Sequence, residues 1–328
     1  MQSRFTSKSF ITRLLPALAA SALLMLGAGQ AHAQRVIRII VPYATGAVQD
    51  TIARTFSSEL GQALNASVIV ENRAGAGGTV GTAMVAKAAP DGNTLVLAAA
   101  SHNIAGHMYK SLGYDPVKDF VGVSYLGNSG YVVMASAGLG AGTTKDFIAT
   151  VKAKPDAYNY ASAGNGSATH LGMASFLATA GAKMQHIPMK STGEAVNEVL
   201  AGRVQSVTSS TIGVMPFKGD PRVKFIAYTG RERSRFLPDL PTAAESGLPG
   251  YSFDSWFGLL GPAGMPRAEI EKINAAMTKL LADPAIQERF SRLGVESKGM
   301  PVDDFQKLLR ADWDVAAKIV KSSGATVE

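Results

Sequence analysis

Residues 35–72 read RVIRIIVPYATGAVQDTIARTFSSELGQALNASVIVEN, and the period of their apolar positions changes twice. Val36, Ile37, Ile39, Ile40 and Val41 make a β-branched run of strand length. From Asp50 onward, Ile52, Phe56, Leu60 and Leu64 fall four apart, which gathers them on one face of a helix. Ser67–Val70 is again a short apolar run of strand type. Strand, helix and strand joined by short connections predict a parallel βαβ unit with a right-handed crossover.

Outward from this unit the alternation continues. A helix is expected over Thr79–Ala89 and a strand over Thr94–Ala99. Further on, strands are expected at Tyr131–Ser136, Tyr158–Ala161, Met184–Ile187, Val204–Thr208 and Phe225–Tyr228. Helices are expected at Thr144–Lys154, His170–Ala180 and Glu194–Ala201, and then at Arg267–Ala282, Pro284–Leu293 and Val302–Ser322. The pattern predicts an α/β chain of two lobes, each a mostly parallel sheet flanked by helices. Gly127–Gly130 and Phe253–Gly261 are extended, glycine-bearing stretches suited to crossing between lobes. Two crossings make residues 34–128 and 258–328 one lobe and residues 129–257 a second, inserted lobe. A paired hinge of this kind allows closure around a ligand.

Residues 1–33 stand apart from this pattern. Arg4, Lys8 and Arg13 precede an apolar run over residues 14–28, and Ala31-His32-Ala33 follows. These are the three parts of a secretory signal peptide, cleaved after Ala33. The run is broken by Pro16 and is too short to span a membrane. The chain has no cysteine, so disulfides, thiolate metal sites and a lipid-modified N-terminus are excluded. The net charge of +7 includes the three basic residues of the leader, and the remaining basic residues are scattered. That distribution argues against nucleic-acid binding. The histidines are too dispersed for a metal-ligand motif, and no cofactor is expected.

Two strand-to-helix turns carry the chemistry. The first holds Tyr43, Ala44, Thr45, Gly46, Ala47 and Asp50. In parallel α/β sheets ligands lie beyond the carboxyl ends of strands, and the free N–H groups of a helix start attract anions. An ordinary turn with Asp50 as helix cap explains the same residues. The second turn runs from Ser162 to His170 and offers Gly164, Gly166, Ser167 and Thr169, which are donor-rich and small. A carboxylate held by neutral donors fits it. Ser167 as nucleophile with His170 as base is the enzymatic alternative, but the surrounding residues do not form G-x-S-x-G. Arg73–Gly81 lacks the spacing of a dinucleotide fingerprint and reads as a structural turn. Ser101-His102-Asn103 and Thr208-Ser209-Ser210-Thr211 also follow strands and are placed on the same cleft, with Ser101 and Ser209 as contacts.

An ordered series of motifs adds a family. It comprises Ile39-Ile40-Val41-Pro42-Tyr43 with Asp50, Val70-Glu71-Asn72-Arg73-Ala74-Gly75-Ala76-Gly77-Gly78, and Ala89-Pro90-Asp91-Gly92. Tyr114-Asp115-Pro116-Val117-Lys118-Asp119-Phe120, Tyr160-Ala161-Ser162-Ala163-Gly164 with His170-Leu171, and His186-Ile187-Pro188 continue it. Leu240–Gly247, Trp256-Phe257-Gly258 and Pro262-Ala263-Gly264 complete it. In this order they resemble the Bug-type, TctC-like receptors, the periplasmic substrate-binding components of tripartite tricarboxylate transporters. The resemblance runs from Arg35 to Gly324. It implies a two-lobed Venus-flytrap fold, a small organic carboxylate as ligand, membrane transporter subunits as partners, and no catalysis. It also implies a carboxylate gripped, partly through water, by the loops matching Tyr43–Asp50 and Ser162–His170.

Three departures bear on the ligand. Thr45-Gly46-Ala47 stands where the family usually has Pro-Gly-Gly, which affects the water-bridging geometry. Met189-Lys190-Ser191 replaces Tyr-Lys-Gly, and Ser209 replaces a common Asp, which affects side-chain specificity. The expectation is a monomeric receptor that passes a carboxylate to a transporter. An exported serine hydrolase using Ser167 and His170, and a sensory receptor presenting its liganded form to a membrane kinase, are the rivals.

Overall fold

In the computed structural model, residues 34–155, 157–189 and 191–323 are described, and residues 322 and 323 by backbone alone. The leader with its cleavage site, Lys190 and the last residues of the chain lie outside them. Chain order is β1 (Arg35–Val41), α1 (Val48–Leu64), β2 (Ala66–Asn72), α2 (Thr79–Ala86), β3 (Thr94–Ala99), α3 (Ser101–Met108) and β4 (Phe120–Ser136). Then come α4 (Thr144–Ala153), β5 (Asn159–Ser162), α5 (Ala168–Ala180), β6 (Gln185–Pro188), α6 (Thr192–Leu200), β7 (Ser206–Ser210), α7 (Thr211–Val214) and β8 (Val223–Tyr228). The chain closes with β9 (Asp254–Pro262), α8 (Arg267–Leu281), α9 (Pro284–Arg292), β10 (Glu296–Ser297) and α10 (Val302–Ser323). No helix among the described residues is long and apolar enough to cross a membrane.

The strands follow the order β2-β1-β3-β9-β4-β7-β5-β6, with β8 and β10 also paired to β4. β4 therefore belongs to two sheet sections. Its first part pairs antiparallel with β9, from Phe120 opposite Pro262 to Gly130 opposite Asp254. Its second part pairs with β7 and β8, from Tyr131 opposite Ser210 onward. Register shifts near Val123 and Leu126 mark bulges, which bend and twist a strand.

The expectation of mostly parallel sheets needs correction. β1 with β3 is parallel, as is β5 with both β6 and β7, but every pairing of β4 and β9 is antiparallel. Residues 120–130 and 254–262 are paired strands rather than open connectors. They pair with each other because both run between the same two sections, in opposite directions.

Alternation along the strands supplies apolar faces on both sides. Ile37, Ile39, Leu95, Leu97 and Leu259 pack under α1, α8 and α9. Ile40, Val96, Trp256 and Leu260 face the other way, with Phe305 of α10. In the second section Val133 and Ala135 pack with Phe176 and Leu171 of α5, while Val132, Met134 and Val207 pack with Val196 and Val199 of α6. The last helix serves both sections, since Val320 of α10 lies in the core that contains Phe176.

Gly130 marks the point where β4 passes from one section to the other. Its N–H donates to the Tyr228 hydroxyl oxygen at 3.0 Å, and a Cβ there would collide with the Tyr228 ring. Gly130→Ala should lower stability by roughly 1–3 kcal/mol, the usual cost of overpacking a filled interior. Urea unfolding with an unchanged midpoint would show that the ring has room to move.

Candidate functional site

The two turns singled out from the sequence face one another across connected space. A cavity of about 350 Å³ is lined by Tyr43, Gln49 and Ser101 on one side and by Gly166, Ser167, Ala168 and Leu171 on the other. A second cavity of about 230 Å³ is lined by Val48, Gln49, Ala163, Ser167, Ala168, Thr169, Thr192 and Ser210, among others. The two share Gln49, Tyr131, Ser167, Ala168 and Ser255, so they form two compartments of one cleft.

Two helix starts open into it. α1 begins after Ala47, with no side chain capping its N-terminus, and Thr51 makes the first backbone bond, to Ala47 O. The N–H groups of Val48, Gln49 and Asp50 thus have no acceptor within the helix. At α5 the Ser167 hydroxyl accepts from His170 N, and Leu171 N bonds to Ser167 O. The Ala168 and Thr169 N–H groups remain free among the described residues. Such groups, with the partial positive charge of the helix end, attract anions. The smaller compartment adds Ser129, Thr192, Ser210 and Ser255 and contains no ionised side chain among the described residues.

Behind the helix starts lies a layer that holds the turns in shape. Asp50 accepts from Gly46 N (2.9 Å), Arg54 Nε (2.9 Å) and Asn72 Nδ2 (3.0 Å). Burial alone would raise its carboxyl, but these donors together hold it below the usual range. Gly46 has φ of +87°, a conformation that other residues rarely adopt. Tyr43 and Ser101 are hydrogen-bonded through their hydroxyls at 2.8 Å, and burial raises the Tyr43 phenol above its ordinary value. On the opposite side the Ser162 Oγ lies 2.6 Å from His186 Nε2, Thr169 Oγ1 accepts from Ala163 N, and Gly166 N donates to His170 Nδ1. The rings of His170 and His186 stack at 4.1 Å, with Tyr160 beyond.

The placement separates the expected site residues. Tyr43, Ser101, Gly166 and Ser167 line the larger compartment, and Ser167 and Thr169 line the smaller. Ala44, Thr45, Gly46, Ala47 and Gly164 line neither and shape the turns instead. Asp50, Ser162 and His170 are buried and turned inward, as braces rather than contacts. Ser209 is buried with its Oγ unpartnered, beside Gly213. Strand alternation sends Ser210 to the other face of β7, and Ser210 lines the cleft. The Ser167–His170 dyad also falls: Ser167 Oγ caps α5, and the His170 Nδ1 that might act as base already accepts from Gly166 N. Gln49, Ser129, Tyr131, Thr192, Arg231, Asp254, Ser255 and Asp312 reach the cleft without having been singled out. For Gln49 and Ser210 a signal existed, since each neighbours a residue that was.

Comparison with known proteins identifies this arrangement. Residues 52–325 match the family described as tripartite tricarboxylate transporter family receptor. The chain belongs to that family. BugT of Bordetella pertussis is 31% identical over 304 residues, spanning 90% of this chain and 91% of its own. Among solved structures, R. palustris Rpa4515 with adipate superposes with a TM-score of 0.73 at 25% identity, covering 90% of this chain and 99% of that one. MatC from Rhodopseudomonas palustris with bound malate gives 0.69 at 28% identity, covering 87% and 99%. The receptor thus has the two-lobed α/β fold of periplasmic binding proteins, and it is a binding protein rather than an enzyme.

The stacked histidines give this receptor a pH signature. Burial, with the adjacent His170, holds His186 at about 4, below the ordinary 6.5. His102, buried against the Pro116 carbonyl, is likewise held at about 4. The fold thus favours neutral rings, so their contribution is complete above pH 6.5 and is lost as pH falls toward 4. The melting temperature of His186→Gln should drop less between pH 7 and pH 5 than that of the unaltered chain. Equal drops would remove His186 from the account.

Proposed function

We propose that this chain is exported, cleaved after Ala33, and captures a small organic carboxylate in the cleft between α1 and α5 for delivery to a tripartite-type membrane transporter. The observation that carries the reading is the convergence of two helix N-termini, each with free first-turn N–H groups, on a compartment lined by neutral hydroxyls. A carboxylate there would take hydrogen bonds from Ala168 and Thr169 on one side and from the first turn of α1 on the other. Relatives solved with adipate and with malate support the ligand class. A monomer suffices, because both helix starts come from one chain.

The lobes in this reading are residues 34–128 with 258–328, and residues 129–257. The four cores support the division, two on each sheet section. A ligand gripped from both sides binds the closed arrangement best and shifts the population toward it. α10 packs against both α3 and α5, so closure must carry this helix along.

Position 168 offers a clean test. It is the first residue of α5, where proline is tolerated, and Ser167 has the extended backbone (φ −66°, ψ 156°) that precedes proline well. Ala168→Pro removes one N–H donor and leaves the helix in place. Calorimetric titration with adipate and malate should show at least one binding to the unaltered chain. That affinity should weaken in Ala168→Pro by roughly 1.5–3 kcal/mol, the range for a hydrogen bond to a charged group. Undiminished affinity in a folded variant would exclude the α5 amides.

A further inference from the structure

The two compartments of the cleft differ in charge. Among the described residues the smaller has no ionised side chain, whereas one wall of the larger carries Arg231, Asp254 and Asp312. Asp312 projects from α10, and its Oδ2 accepts from Trp256 Nε1 and from Asn103 Nδ2, each at 2.9 Å. These two bonds fix its orientation and leave Oδ1 without a protein partner among the described residues. Asp254, at the start of β9, accepts a long bond of 3.4 Å from Asn128 Nδ2 and is otherwise bonded to its own backbone N–H. Neither carboxylate has a cation within ion-pair distance among the described residues. Burial raises both carboxyls, and the charge of Asp254 raises Asp312 further, with Arg231 opposing in each case. The same compartment is lined by Ile104, Tyr131, Leu171, Phe253, Val315 and Ile319, which give it a largely apolar surface.

Two buried carboxylates that share Arg231 as counter-charge, neither of them ion-paired to it, are costly, and a ligand cation placed against both lowers that cost. We propose that the ligand is zwitterionic: its carboxylate sits at the helix starts, and an ammonium group sits against Asp254 and Asp312, with an apolar chain between. The substrate class is therefore an aliphatic ω-amino acid, with its two charged groups at opposite ends of the chain. This inference rests on the carboxylate reading above. The rival is a dicarboxylate whose second carboxylate pairs with Arg231. It would bring a third negative charge to a wall where two already repel.

Four acids of one chain length separate these readings: hexanoate, norleucine, 6-aminohexanoate and adipate. They would be titrated calorimetrically into the full protein at neutral pH. 6-Aminohexanoate should bind roughly tenfold or more tightly than hexanoate, adipate and norleucine, as expected for one charged hydrogen bond gained at the far end of the chain. Asp312→Asn and, independently, Asp254→Asn should bring 6-aminohexanoate down to the affinity of hexanoate and leave hexanoate unchanged. Asparagine keeps an oxygen acceptor for Trp256 and Asn103, so Asp312→Asn can retain the fold, and a cooperative melt verifies it. Tighter binding of adipate or norleucine than of 6-aminohexanoate overturns the inference, as does a preference for 6-aminohexanoate that survives in both variants. Binding of no acid at all is a different failure, because hexanoate and adipate do not depend on the aspartates, and it refutes the carboxylate reading itself.

Discussion

Backbone pairing between β4 and β9 fixes the relation of the two halves of the cleft. From Phe120 opposite Pro262 to Gly130 opposite Asp254 the strands run side by side, and β4 then continues into the second section against β7 and β8. The helix starts hang on this frame. α1 follows β1, which pairs with β3 and through it with β9. α5 follows β5, which pairs with β7 and through it with β4. Both lie beyond the carboxyl ends of parallel strands, where free amides gather in α/β sheets. The cleft is thus where two such ends meet across one continuous strand.

In the proposed reading, anion recognition relies on amides and hydroxyls more than on a cation. A helix end carries roughly half an elementary charge, distributed over several N–H groups. Those groups are useful only if the turn before them is rigid and its polar atoms are satisfied. Asp50 fulfils this at the first turn and the Ser162–His186 and Gly166–His170 bonds at the second. The residues with the most reactive-looking chemistry therefore brace the turns, and the lining of the cleft falls to plainer neighbours such as Gln49, Ala168 and Ser210.

The sequence displayed the βαβ units because their apolar periods are clear, as in Ile52, Phe56, Leu60 and Leu64. It also displayed the two turns, whose small and hydroxyl residues follow strands directly. The first part of β4 was legible only as an extended stretch. Gly122, Gly127 and Gly130 interrupt its apolar pattern, and Gly122 and Gly130 are there because Phe305 and Tyr228 occupy the space a Cβ would need. Which face a residue takes was not legible where one step along a strand reverses it, as with Ser209 and Ser210. Arg231, Asp254 and Asp312 carried no local signal, because only the loop after β8 and the return of β9 and α10 bring them to the cleft.

A crystal structure of the receptor with a bound carboxylate tests the central claim most directly. The account predicts a carboxylate oxygen within hydrogen-bonding distance of the Ala168 or Thr169 N–H, and the first turn of α1 reached directly or through one water. A carboxylate bound instead by the Arg231 guanidinium, with both helix starts left to solvent, would contradict it.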